Sequence, residues 1–139
     1  MKSEGQSIYK DSERLCDLLY ECTLMMTKEN RIVYLTSART AAEDMLLAFV
    51  MAYEFRPEQW YYFQMLYALF NVVLARVRRI INKGRLTSPN PQTGKKPGTI
   101  EKEMADCLDR IETSLGKWRN TIIVKGHDVS RDRLTQMPG

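Results

Sequence analysis

The chain has 139 residues, 44% of them hydrophobic and 27% charged, which suits one domain with a sizeable core. Its net charge of +4 is unevenly spread: residues 1–70 hold 7 basic and 10 acidic side chains, whereas residues 71–139 hold 14 basic and 7 acidic. Three cysteines without short paired spacing argue against a disulfide framework, and a single histidine leaves no convincing Cys/His zinc set.

Residues 1–7 are polar apart from Met1 and are expected to be disordered. They contain no apolar run, so no signal peptide is visible. The longest apolar stretches, 45–53 and 65–75, fall short of the roughly 20 residues that span a bilayer. A cytoplasmic protein without a membrane partner is expected.

Ser7 is placed to cap a first helix over 8–28. Ile8, Leu15, Leu18, Leu19, Cys22, Met25 and Met26 form its buried face. Residues 27–30 predict a break. A second helix over 31–54 carries Ile32, Leu35, Ala38, Ala42, Met45, Leu46, Phe49 and Val50 on its apolar stripe. Ala38, Ala41 and Ala42 would let a neighbouring helix come close. Phe55-Arg56-Pro57 reads as a short turn, with Pro57 suited to the first turn of the next helix. So short a connection makes helices two and three antiparallel neighbours.

The third helix, 57–85, changes character along its length. Trp60, Tyr61, Phe63, Met65, Leu66, Leu69, Phe70, Val73, Leu74, Val77, Ile80 and Ile81 recur at three- and four-residue steps. Toward the end Arg76, Arg78, Arg79, Lys83 and Arg85 gather, at the negative end of the helix dipole. Gly84 is placed for a left-handed cap. Trp60, Tyr61, Tyr62, Phe63 and Tyr67 cover almost the whole circumference of its first turns. One bundle interior takes only one face of a helix, so this surface predicts a homo-oligomer.

Residues 86–98 hold three prolines and two glycines and read as a flexible basic connector. Gly94-Lys95 does not make a phosphate loop, because Pro89 and Lys96 stand where glycine and a hydroxyl residue are required. Thr99 is placed as a simple cap for a fourth helix to about 124. Ile100, Met104, Cys107, Leu108, Ile111, Leu115 and Trp118 form its stripe, with a charged face opposite. Residues 125–139 read as a flexible tail. The economical architecture for residues 8–124 is all-α, an antiparallel up-down four-helix bundle.

No catalytic constellation is present. Glu43-Asp44 has no His three residues on, as a di-metal bundle site would want. Arg119 and His127 lie too far apart for the catalytic pair of bundle ribonucleases. No enzyme activity, cofactor or metal is expected. What remains is binding. Arg76, Arg78, Arg79, Lys83 and Arg85, joined by Lys95 and Lys96 from the connector, can neutralise phosphates of RNA or DNA without reading sequence. Lys117 and Arg119 add support from the far end of helix four.

The order of features resembles a known group. An opening apolar helix is followed by a break with Arg31 and Leu35, an Ala-rich second helix and a long third helix ending in Arg. The fourth helix closes with Ser114-Leu115-Gly116-Lys117-Trp118. Over about residues 8–122 this pattern resembles the accessory variability determinant proteins of diversity-generating retroelements. It is also similar to the related bundles encoded in intervening sequences of large ribosomal RNA genes, and Leu115, Gly116 and Trp118 match the retroelement branch. The resemblance implies a bundle assembling into a homopentameric barrel with a basic surface. It further implies a non-catalytic partner of reverse transcriptase and template RNA in mutagenic copying. The alternative is a structural or protein-interaction bundle of the ribosomal-insert type with no nucleic-acid role.

Overall fold

A computed structural model describes residues 3–125, with side chains over 5–122. The expected tail therefore lies outside the described residues, save Lys125. Helix α1 is Ser3–Cys22, so helix already covers most of the stretch expected to be disordered, and Ser7 sits inside it rather than at its cap. Its inner face is the expected one, from Ile8 to Cys22. The helix stops six residues short of the expected end and continues as a 3₁₀ turn, Thr23–Met25. Leaving the helix there frees the carbonyl of Met25 to accept the backbone N–H groups of Thr87 at 2.9 Å and Ser88 at 3.3 Å.

Helix α2 comprises three consecutive pieces: Lys28–Asn30, a π turn at Arg31–Leu35 and Thr36–Glu54. Thr27 caps it, its hydroxyl accepting the Asn30 N–H at 3.2 Å. In the π turn the Thr36 N–H and hydroxyl both donate to the carbonyl of Arg31. The wider turn advances each residue by less than the α-helical step, so it changes the phase of the stripe. Ile32, expected in the core, is 66% exposed, while Arg31 turns inward and donates from Nη1 to the Thr23 carbonyl at 3.1 Å. Val50 also faces out, and Leu46 is only half-buried. Ala38, Ala41, Ala42, Ala48 and Ala52 are buried, as a close helix neighbour requires.

After a 3₁₀ turn at Arg56–Glu58 containing Pro57, helix α3 runs Gln59–Asn82. Gln59 Nε2 donates to the Ala52 carbonyl at 3.1 Å, and Arg76 Nη1 donates to the Ser37 carbonyl at 2.8 Å. Gly84 takes φ +61°, with its N–H on the Ile81 carbonyl and the Arg85 N–H on that of Ile80. This is the Schellman arrangement that satisfies the last helical carbonyls.

Two glycines give opposite expectations. A Cβ at Gly84 would meet nothing within 4 Å, so Gly84→Ala tests backbone conformation alone and is expected to cost about 1 kcal/mol. Gly116 lies inside a helix, also with open space around a Cβ, and Gly116→Ala is expected to gain about 0.5–1 kcal/mol. Urea midpoints of the two variants should move in opposite directions. A shift of the same sign in both would refute the conformational account.

The connector is not loose. Leu86 is buried and Asn90 is 1% exposed. The Asn90 N–H donates to the Lys95 carbonyl, its own carbonyl accepts from Gly94, and its Oδ1 accepts the Gln92 N–H at 2.9 Å. Its Nδ2 reaches Glu21 Oε1 at 3.4 Å. One buried amide thus organises the turn and fastens it to α1. Composition read the prolines and missed this anchor.

Helix α4, Pro97–Lys125, begins with the proline in its first turn. The Lys96 carbonyl accepts the N–H groups of Thr99 and Ile100, so Thr99 lies within the first turn instead of capping it. Its stripe, from Ile100 to Trp118, is buried as expected. The largest interfaces join α1 to α4 and α2 to α3. Four long helices and no strand among the described residues make this an all-α four-helix fold.

Aromatic rings fill one end of the core. Phe49 meets Tyr9, Tyr53 and Trp118, with ring centroids 6.0, 6.1 and 5.6 Å away. Phe63 meets Trp60, Tyr67 and Trp118, the last edge-on at 5.4 Å. Trp118, 9% exposed, is a core residue. All three cysteines are free thiols. Burial pushes Cys16 and Cys22 up to about 12 and Cys107 to about 11, so none is a thiolate at neutral pH. Among the described residues no helix is long and apolar enough to cross a membrane.

Candidate nucleic-acid interface

The end of α3 projects charge because its cations lie off the face that its core residues bury. Val73, Val77 and Ile80 hold the helix to the core, leaving Arg76, Arg78, Arg79 and Lys83 exposed. The turn at Gly84 then sends the chain back over Tyr34. The guanidinium carbons of Arg79 and Arg85 lie over that ring, 5.0 and 4.8 Å from its centroid. Arg85 is half-buried, and its Nε is buried without a hydrogen-bond partner. Tyr34 reaches this place because it belongs to the π turn of α2.

Two guanidiniums that close to one ring centroid are at most about 10 Å apart, a repulsion on the order of 0.4–1.7 kcal/mol. Cation–π attraction of about 0.5–1 kcal/mol each opposes it. No carboxylate does: among the described residues, none of Arg76, Arg78, Arg79, Lys83 and Arg85 is in an ion pair. Elsewhere, ion pairs form chiefly where α1 meets α4. Arg14 and Lys95 both reach Glu103, at 3.1 and 3.3 Å, and Arg110 meets Asp11 at 3.1 Å. Some charge is therefore matched where α1 meets α4, whereas no ion pair forms at the end of α3 among the described residues.

The expected basic residues do not form one group. Arg76, Arg78, Arg79, Lys83 and Arg85 belong together. Lys95 turns to Glu103 and serves the α1–α4 network rather than the basic end. Lys96 is exposed and has no ion pair among the described residues. Lys117 and Arg119 flank Trp118, which packs on Phe63. From Phe63 to Arg79 the helix rises roughly 24 Å, so these two lie far from the basic end. Arg119 there lines a shallow groove with Trp60, Gln64, Tyr67 and Asn71.

Sequence reasoning missed Tyr34 and the inward Arg31. Nothing in composition marks a π turn; Tyr34 looked like an ordinary position near a helix start, and Arg31 entered only through the resemblance. Ile32, in the same turn, was expected in the core and is surface. Elsewhere burial raises the Glu101 carboxyl above its ordinary range, and the hydrogen bond from Arg110 to Asp11 raises the guanidinium further. Among the described residues no group of His, Cys, Asp and Glu is placed to hold a metal ion.

No family model, curated protein or solved structure matches the chain.

Proposed function

We propose that the protein is a non-catalytic accessory subunit of a diversity-generating retroelement. In this reading it binds reverse transcriptase and, through the end of α3, the template RNA, in the cytoplasm. The observation that carries nucleic-acid binding is the concentration of five cations, Arg76, Arg78, Arg79, Lys83 and Arg85, within ten residues at the end of α3, none of them in an ion pair among the described residues. The retroelement assignment rests on the sequence resemblance. A salt titration of RNA binding tests the first part, because phosphate contacts make affinity fall with salt. Absence of any complex at low salt would leave the interaction-only bundle.

The proposal includes an antiparallel bundle and a homopentamer. Two hydrogen bonds, Gln59 to Ala52 and Arg76 to Ser37, support opposite directions for α2 and α3 and set Leu47 level with Met65. Leu47 and Tyr61 are 59% and 56% exposed, and Phe55 and Met65 also face out. This apolar surface is more than scattered exposure and suits contact with further copies. Light scattering behind a sizing column is expected to give about 81 kDa, five times the 16.2 kDa chain. A mass near that of one chain would sink the ring.

A further inference from the structure

We propose that the basic end of α3 takes a single strand in preference to a duplex. Arg79, laid over Tyr34, stacks an unpaired base, while Arg76, Arg78 and Lys83 hold the flanking phosphates. The inference rests on the polyanion reading and adds to it the form of the nucleic acid.

Three observations carry it. The Arg79 guanidinium lies 5.0 Å from the Tyr34 centroid, and the Arg79 side chain is nevertheless exposed, with Tyr34 half-buried. A guanidinium backed by an aromatic ring is held in place with its other face open, and guanidinium planes stack on unpaired bases as aromatic rings do. Next, Arg79 and Arg85 share this ring without a carboxylate, so a bound anion would find both cations unpaired. Finally, Tyr34 belongs to a π turn, and π turns are uncommon and occur frequently at functional sites.

Fluorescence anisotropy tests the proposal, with a labelled, unstructured RNA of about 15 nucleotides, alone or annealed to its complement, at about 50 mM salt. The single strand is expected to bind about tenfold more tightly than the duplex. Tyr34→Leu and Arg79→Lys are each expected to bring that ratio to about two or below, since Lys keeps the charge and loses the stacking plane. Tyr34→Phe should retain the preference. If Tyr34→Leu folds poorly by circular dichroism, the exposed Arg79→Lys decides alone. A ratio near one in the unaltered protein overturns the proposal, as does a ratio that survives Arg79→Lys. Binding of both forms with equal strength would spare the polyanion reading. Binding of neither would remove that reading, and an acidic protein segment would then be the better partner for these cations.

Discussion

Phe49→Ala is expected to cost about 3–5 kcal/mol, most of the margin of a small domain. Phe49 is fully buried and is the point where three helices meet: Tyr9 comes from α1, Tyr53 from α2 itself and Trp118 from α4. Removing the ring takes away its transfer free energy and leaves a cavity. Three large rings around it have little freedom to collapse, since each packs on other core residues. The pair terms, about 0.5–1.5 kcal/mol for each aromatic contact, are lost with it. Denaturant unfolding followed by circular dichroism would measure the loss. Tyr61→Ala, on the exposed face of α3, supplies the contrast and should stay within about 0.5 kcal/mol in the isolated chain. A Phe49→Ala cost below about 1 kcal/mol would mean that the aromatic cluster does not hold the helices together.

This cluster shows what was readable from sequence. The stripe of α4 is legible because nothing interrupts its period: Ile100, Met104, Cys107, Leu108, Ile111, Leu115 and Trp118 are all buried. In α2 the same rule fails at its start, because periodicity assumes one helical pitch and the π turn changes it at Arg31–Leu35. Ile32 is then left exposed, while Arg31 is partly buried. Hydrophobicity cannot foresee this, since the inward position of Arg31 is fixed by one bond to the Thr23 carbonyl. The connector failed for a related reason. Its composition has turn formers, but its order comes from Asn90, whose partners lie in the loop and on Glu21, far away in sequence.

The site was half legible on the same grounds. A run of arginines at the end of an amphipathic helix shows that the charge exists. Which cations are matched depends on partners distant in the chain, as for Lys95 and Arg14 at Glu103. Sequence placed Lys95 with the α3 cluster because an antiparallel fourth helix would start beside the end of the third; the ion pair instead holds its ammonium at Glu103. The ring beneath Arg79 and Arg85 was invisible for the same reason, Tyr34 lying more than forty residues upstream.

The second large effect is expected on binding. Together, Arg76→Gln, Arg78→Gln and Arg79→Gln are expected to weaken RNA binding about 100-fold near 0.1 M salt. They are also expected to flatten the slope of log affinity against log salt by about 2. Each cation that leaves a single strand withholds about 0.7 of a counterion release, so three give both figures. The fold should survive. Arg78 makes no ion pair among the described residues, Arg79 has its contact with Tyr34, and Arg76 gives one hydrogen bond to Ser37. Their loss costs about 1–2 kcal/mol in all, visible as a modest shift in melting and no loss of helix. Lys95→Gln separates local charge from net charge. It removes one positive charge from the same end of the sequence, but that charge is already matched by Glu103, so the salt slope should not change. Lys117→Gln with Arg119→Gln probes the distant patch. A slope flattened by that pair and untouched by the triple variant would move the interface to the groove beside Trp60. A slope lowered equally by every variant, Lys95→Gln included, would mean that net charge alone binds the RNA and that the end of α3 is no site.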